Sequence, residues 1–252
     1  MNEWIALNIG NSRLHWAVFE NDTLQRRWDT DPGDAELVRL FSRSPQDFVE
    51  FNKANQTPEL WISSVVPEQT ELWQRYPRSY SIALQQIALH QVYPTFGLDR
   101  AVSVWGAIVT YGSPTLVIDC GTAMTFTGAD QDCNLVGGAI LPGLRLQFQA
   151  LNQNTAALPQ LELDQLNELP DRWAKSTENA IQSGILHIVL AGIEAFIHDW
   201  QQRFSETSIV LTGGDSALIY RLLRSQISAQ IKLDQDVAFW GIRSIRNQSL
   251  TL

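Results

Sequence analysis

Two stretches of the chain share one pattern of hydrophobic and polar positions. Ile5-Ala6-Leu7-Asn8-Ile9-Gly10-Asn11-Ser12 and Leu116-Val117-Ile118-Asp119-Cys120-Gly121-Thr122-Ala123 each run from a short apolar strand into Asn or Asp, one residue, Gly and a small polar pair, at an offset of 111 residues. A second β-like run follows each, at 14–19 and 124–127. A polar turn then closes each unit, Glu20-Asn21-Asp22 in one and Asp130-Gln131-Asp132 in the other. Asn and Asp tolerate the backbone angles of a hairpin, so each half reads as strand, tight turn, returning strand. A repeat this long predicts two lobes of similar fold, because solenoid repeats are much shorter.

Elsewhere strand-like and helix-like segments alternate. Apolar Leu37, Leu40 and Phe41 at helical spacing predict a helix over 34–41, after a Pro-Gly start. Residues 60–66 are β-rich and stop at Pro67, with a helix predicted over 68–76 and a short strand over 81–84. Val102, Trp105, Ala107 and Ile108 share a face of a helix over 99–111. In the second half, strands are predicted at 136–141 and 208–211 and helices at 144–151, 177–203, 215–224 and 238–246, with Ser176 or Thr177 capping the longest. Residues 154–171, rich in Pro and polar side chains, read as loop. Such alternation is the mark of an α/β protein. The lobe boundary is placed at Tyr111-Gly112-Ser113-Pro114, giving lobes at 1–112 and 113–252.

Composition narrows the partners. The 252 residues are 44% hydrophobic, enough to build real cores, and carry a net charge of −9. That acidity argues against nucleic acid or an anionic membrane surface, both held mainly by Lys and Arg. The start of the chain lacks a basic leader, and the most apolar run, 185–197, is interrupted by His187, Gly192 and Glu194. With Cys120 and Cys133 as the two cysteines, neither a disulfide framework nor a zinc site is spaced out, and free thiols fit a cytoplasmic chain.

Three Gly-containing turns each follow a strand: 8–12, 119–123 and 212–215. Bare backbone lets N–H groups approach a phosphate closely, and Ser12, Thr122 and Thr212 add hydroxyl donors. Together they predict a nucleotide cleft between the lobes. Asp119 at a strand end could hold a cation that offsets phosphate charge. Neither the Walker nor the Rossmann glycine pattern is present, nor a Gly-x-Ser-x-Gly elbow. In Gly97-Leu98-Asp99-Arg100, Asp99 is either a helix cap or a general base for a substrate hydroxyl, with Arg100 placed to clamp an anion.

Taken together, Asn8 to Ser12, Gly97 to Arg100, Asp119 to Ala123, Gly137 to Gly143, Leu211 to Gly214 and the segment Lys175 to Gly184 resemble the type III pantothenate kinases, of the acetate kinase, sugar kinase and actin superfamily. The resemblance runs from about residue 5 to about residue 246. It implies two ribonuclease H-like, actin-like ATPase lobes with the nucleotide in an inter-lobe cleft. The implied reaction is ATP-dependent phosphorylation of pantothenate to 4'-phosphopantothenate, the first step toward coenzyme A. A divalent cation such as Mg2+, a monovalent cation (K+ or NH4+) and a homodimer are implied as well. Carried over by position, Asp99 is the base, Tyr93, Gly97, Arg100 and Thr177 contact pantothenate, and Asp119 holds the monovalent cation. Asn8, Gly10, Asn11, Ser12, Thr122, Thr212, Gly213 and Gly214 fall to ATP. The chain departs from the family pattern at Asn8, where Asp is usual, and at His15, where many members have Lys. Those departures support the alternative reading, a catalytically impaired nucleotide- or metabolite-binding relative of the same fold.

Overall fold

The computed structural model describes residues 3–33, 38, 57–163, 168–224 and 229–250. They form two compact units, one of residues 1–110 with 237–252 and the other of residues 111–236. The sequence boundary ran the second lobe to residue 252, whereas the last helix packs in the first unit. Its physical reason is a close crossing of that helix with the one at Leu98–Tyr111.

In the first unit, β1 (Glu3–Ile9), β2 (Leu14–Glu20), β3 (Thr23–Thr30), β4 (Glu59–Ser64) and β5 (Ser79–Ser81) form a sheet in the order β3-β2-β1-β4-β5. β1 runs antiparallel to β2 and parallel to β4. Strands β1 and β4 are buried along most of their length because both faces of the sheet are covered. One face carries Ile5, Leu7, Ile9, Leu14, Trp16, Val18, Leu60 and Ile62 against Trp73 and Tyr76, at and just beyond the end of α1 (Pro67–Trp73). On the other face Trp4 stacks on Phe19 at 4.4 Å, and α6 (Val237–Leu250) brings Trp240 edge-on to Phe19. Arg246 of α6 lies over the Trp4 ring and pairs with the buried Glu59 at 2.9 Å.

Helix α2 (Leu98–Tyr111) meets α6 backbone to backbone. A Cβ at Gly106 would overlap the Val237 carbonyl, and one at Gly241 would overlap that of Val102. Two glycines therefore set the crossing, and the Trp105 Nε1–H donates to Ser244 Oγ beside it. This contact ties the end of the chain to the first unit.

The second unit repeats the strand order. β6 (Thr115–Cys120), β7 (Ala123–Ala129), β8 (Leu135–Pro142), β9 (Ser208–Thr212) and β10 (Ile231–Leu233) stand in the order β10-β9-β6-β7-β8. β6 is antiparallel to β7 and parallel to β9, as β1 is to β2 and β4. The sequence echo is thus a duplication of topology, and the two-lobed α/β expectation is borne out. Helices α3 (Leu144–Asn154), α4 (Thr177–Arg203) and α5 (Ser216–Leu223) flank this sheet. Ser176 caps α4, its Oγ accepting from the Asn179 N–H at 3.2 Å. By length and composition α4 could cross a membrane, but Ile181, Ile185, Leu186, Val189, Leu190, Ile193 and Ile197 form one side of the unit's core.

Several sequence expectations shift. The helix expected over 34–41 lies outside the described residues except for Val38, which is buried. The strand expected over 81–84 is β5 at Ser79–Ser81, and Leu84–Gln86 is a single 3-10 turn. β3 and β10 were not foreseen. β3 is an edge strand whose Arg26, Arg27 and Asp29 hide the β pattern while discouraging pairing with another chain.

Candidate active site

In the first unit, β1 and β2 are joined by the turn at 10–13, closed by the Gly10 N–H donating to the Arg13 carbonyl at 3.1 Å. Asn11, Ser12 and Arg13 are exposed at its tip. Asn8, two residues before it, is paired with His15 on β2 and with Ser63 on β4. Both Asn8 Oδ1 and Ser63 Oγ are buried without a hydrogen-bond partner, which marks a polar place that the protein alone leaves unsatisfied. Ser63 carries no sequence signal; only the β1–β4 register brings it to Asn8.

A second cluster forms where the chain enters α2. Asp99 stands in the first helical turn, inside the helix and not at the cap, and its Oδ1 accepts from the Arg100 N–H at 2.8 Å. A Cβ at Gly97 would lie 2.5 Å from that oxygen, so the glycine leaves room for the carboxylate. Arg100 is only 7% exposed. Its guanidinium donates to the Tyr93 hydroxyl at 2.9 Å and lies 4.9 Å over the Phe96 ring. Tyr93 itself is half-exposed and packs edge-on to Phe96. Tyr93, Gly97, Asp99 and Arg100 are therefore one assembly: a half-buried carboxylate beside a fixed, desolvated cation. Phe96 completes it, a residue that sequence reasoning passed over because an aromatic in a loop carries no chemical signature.

In the second unit, three turns converge on the end of β6. Asp119 pairs in register with the buried Thr212 of β9. Gly213, at φ +88, lays bare backbone against the Asp119 carboxylate and the Cys120 backbone, where a Cβ would overlap both. Gly143 comes equally close to the Gly121 and Thr122 carbonyls, and its N–H donates to the Thr122 carbonyl at 2.9 Å. The Asp215 N–H donates to the Cys120 carbonyl at 2.9 Å, and Arg145 of α3 reaches the Asp215 carboxylate at 3.7 Å. Thr122 and Thr212 are thus brought to one place with Gly213, while a Cβ at Gly214 would meet open space. Asp215 closes the 212–215 turn singled out in the sequence, whereas Arg145 is a site-side charge that no sequence motif exposed, since helix and turn must fold before the two meet.

Cys120 is buried in this cluster. Burial, and then the charges of Asp119 and Asp215, hold its thiol well above the ordinary range, so it stays protonated and is no nucleophile. Thr177 belongs to the second unit, at the exposed first position of α4. Among the described residues no group of three His, Cys, Asp or Glu side chains could hold a metal.

Paired five-stranded sheets of one topology, each with a glycine turn after its first strand, define the fold of the actin-like ATPases and sugar kinases. Solved structures agree over nearly the whole chain. A protein described as a Baf family transcriptional activator from Campylobacter jejuni superposes with a TM-score of 0.63 at 20% identity, covering 98% of this chain and 100% of its own. A ROK family glucokinase from Streptomyces griseus, in complex with glucose and AMPPNP, gives 0.54 at 12%, covering 98% and 100%. MreB 5 of Spiroplasma citri bound to AMPPNP gives 0.51 at 9%, covering 100% and 98%.

The type III pantothenate kinase family profile matches residues 4–199. Type III pantothenate kinases from Nostoc sp. and Synechocystis sp. are 42% and 43% identical, each over 97% of this chain and over 94% and 90% of their own lengths. The chain belongs to the type III pantothenate kinase family.

Proposed function

We propose that this chain phosphorylates pantothenate with ATP to give 4'-phosphopantothenate, the entry reaction of coenzyme A synthesis. The observation that carries the reading is the family match over residues 4–199, which spans the assembly of Tyr93, Gly97, Asp99 and Arg100. Asp99 accepts the proton of the pantothenate hydroxyl as its oxygen attacks the γ-phosphorus. The new O–P bond forms as the bond between the γ-phosphorus and the β–γ bridging oxygen breaks, and ADP leaves. Little covalent work falls to the protein in such a transfer; positioning and charge neutralisation dominate. Arg100, already desolvated and oriented, pairs with the pantothenate carboxylate, with Tyr93, Gly97 and Thr177 as further contacts.

The residues we infer to contact ATP are Gly10, Asn11 and Ser12, with Asn8 two residues before that turn, and Thr122, Thr212, Gly213 and Gly214. The AMPPNP in the glucokinase and MreB structures supports a nucleotide on this fold. A divalent cation bound with ATP supplies charge neutralisation on the phosphates. Asp119 and the oxygens around it fit a potassium or ammonium ion. The working species is a cytoplasmic homodimer, two-fold association being the default for such chains.

Replacing the base tests the reading. Asp99→Asn is expected to lower kcat about 10²–10⁴-fold, the usual range for general-base loss, with the circular dichroism spectrum and ATP KM unchanged. Near-full turnover in a folded Asp99→Asn variant would remove Asp99 as base.

A further inference from the structure

The stretch of chain that leads into α4 is held by the helix itself. Ser183 Oγ donates to the Arg172 carbonyl at 2.9 Å, and His187 Nε2 lies 3.0 Å from the Pro170 carbonyl. A carbonyl oxygen only accepts, so Nε2 carries the proton and donates. Ser183 and His187 stand one turn apart on the same side of α4. Beyond Arg172, Ser176 caps the helix by accepting from the Asn179 N–H at 3.2 Å. Residues 170–176 therefore run back along the first turns of α4 and fold over into Thr177, tied down at both ends.

Packing does little for this stretch. Residues 171–173 and 175–177 are exposed, and Trp173, at 88%, buries almost none of its ring. Leu169 reaches the core of the unit, but the chain beyond it turns out to the surface. Ser183, by contrast, is 4% exposed beside Ile181, Ile185 and Leu186. A hydroxyl on an apolar face costs stability unless it is bonded, and here its one proton goes across to Arg172 rather than back into its own helix. Ser183 also belongs to the segment Lys175 to Gly184, of which the functional reading uses Thr177 alone.

We propose that Ser183 and His187 are positioning residues for pantothenate: by fixing the 170–176 stretch on α4 they hold Thr177 in the orientation that receives the substrate. The inference rests on the functional reading, which makes Thr177 a pantothenate contact. Neither side chain touches the substrate; each acts through the backbone carbonyl it holds. Without the two bonds the stretch samples other arrangements, and apparent affinity falls with the fraction of molecules that keep the competent one. ATP is assigned to other turns, so the effect is confined to pantothenate.

The test compares the full-length variants Ser183→Ala, His187→Phe and His187→Gln with the wild type, by steady-state kinetics and by the rate of tryptic cleavage after Arg172 and Lys175. Ser183→Ala and His187→Phe each remove one donor. Each is expected to raise the pantothenate KM roughly three- to tenfold, the size of one uncharged hydrogen bond, with kcat and the ATP KM unchanged. Gln carries an amide N–H at similar reach, so His187→Gln is expected to keep the wild-type KM. Both variants that lack a donor are also expected to be cut faster, because the bonds that keep the stretch from opening are gone. Unchanged cleavage would overturn the proposal, since the bonds would then not hold the stretch. Faster cleavage with an unchanged pantothenate KM would overturn it too, as would equal rises in both KM values or a His187→Gln KM as high as that of His187→Phe. A wild-type chain that leaves pantothenate unphosphorylated would instead bring down the functional reading, and this inference with it.

Discussion

Asp119 shows how much one residue depends on its neighbours' lack of side chains. Its carboxylate sits against Gly213, and a Cβ at Gly121 would lie 3.3 Å from it, so bare backbone flanks it on both sides. Activity is expected to rise on adding potassium or ammonium, and Asp119→Ala to lose that response while keeping its fold; a flat response in the wild type would reject the assignment. Residues whose role depends on local backbone were legible in the sequence. Gly213 announces itself because only glycine permits its turn, at φ +88 with the Asp119 carboxylate against it, and Asp99 because it opens a helix after Gly97. Ser63, Phe96, Arg145 and the Asp29 partner of His15 were not legible, since strand pairing or helix placement brings each to its site.

At the level of elements, amphipathic pattern and turn chemistry located the central strands and the long helices. The edge and end strands escaped. β3 is mostly polar because one of its sides faces water, and β10 is three residues held by pairing with β9. The α2–α6 crossing was equally invisible, although Gly106 and Gly241 decide it. A methyl group at residue 106 must push two backbones apart, so Gly106→Ala is expected to destabilise the protein by ~1–3 kcal/mol in urea unfolding, the cost typical of overpacking. Gly192→Ala in α4 has open space around the new methyl and is expected to stabilise by ~0.5–1 kcal/mol through helix propensity. Equal effects of the two substitutions would contradict the backbone contact assigned to the crossing.

Over the whole molecule, one topology is used twice with different chemistry at corresponding positions. The first unit ends its opening strand in Asn8 and backs it with His15 and Asp29; the second ends in Asp119 and backs it with threonines. A carboxylate thus stands beside the second turn where the first has an amide backed by a histidine–carboxylate pair; the echo itself showed Asn against Asp, while the meeting of His15 with Asp29 needed the fold. The sequence also ran the second lobe to residue 252, because nothing in a linear pattern says that α6 (Val237–Leu250) groups with the first unit. Release of ADP by the purified chain, followed with and without pantothenate in the presence of ATP, magnesium and potassium, tests the central claim most directly. ADP should form only when pantothenate is present, one molecule for each phosphopantothenate produced. ADP release at the same rate without pantothenate, or pantothenate left unphosphorylated by a folded chain that binds ATP, would contradict it.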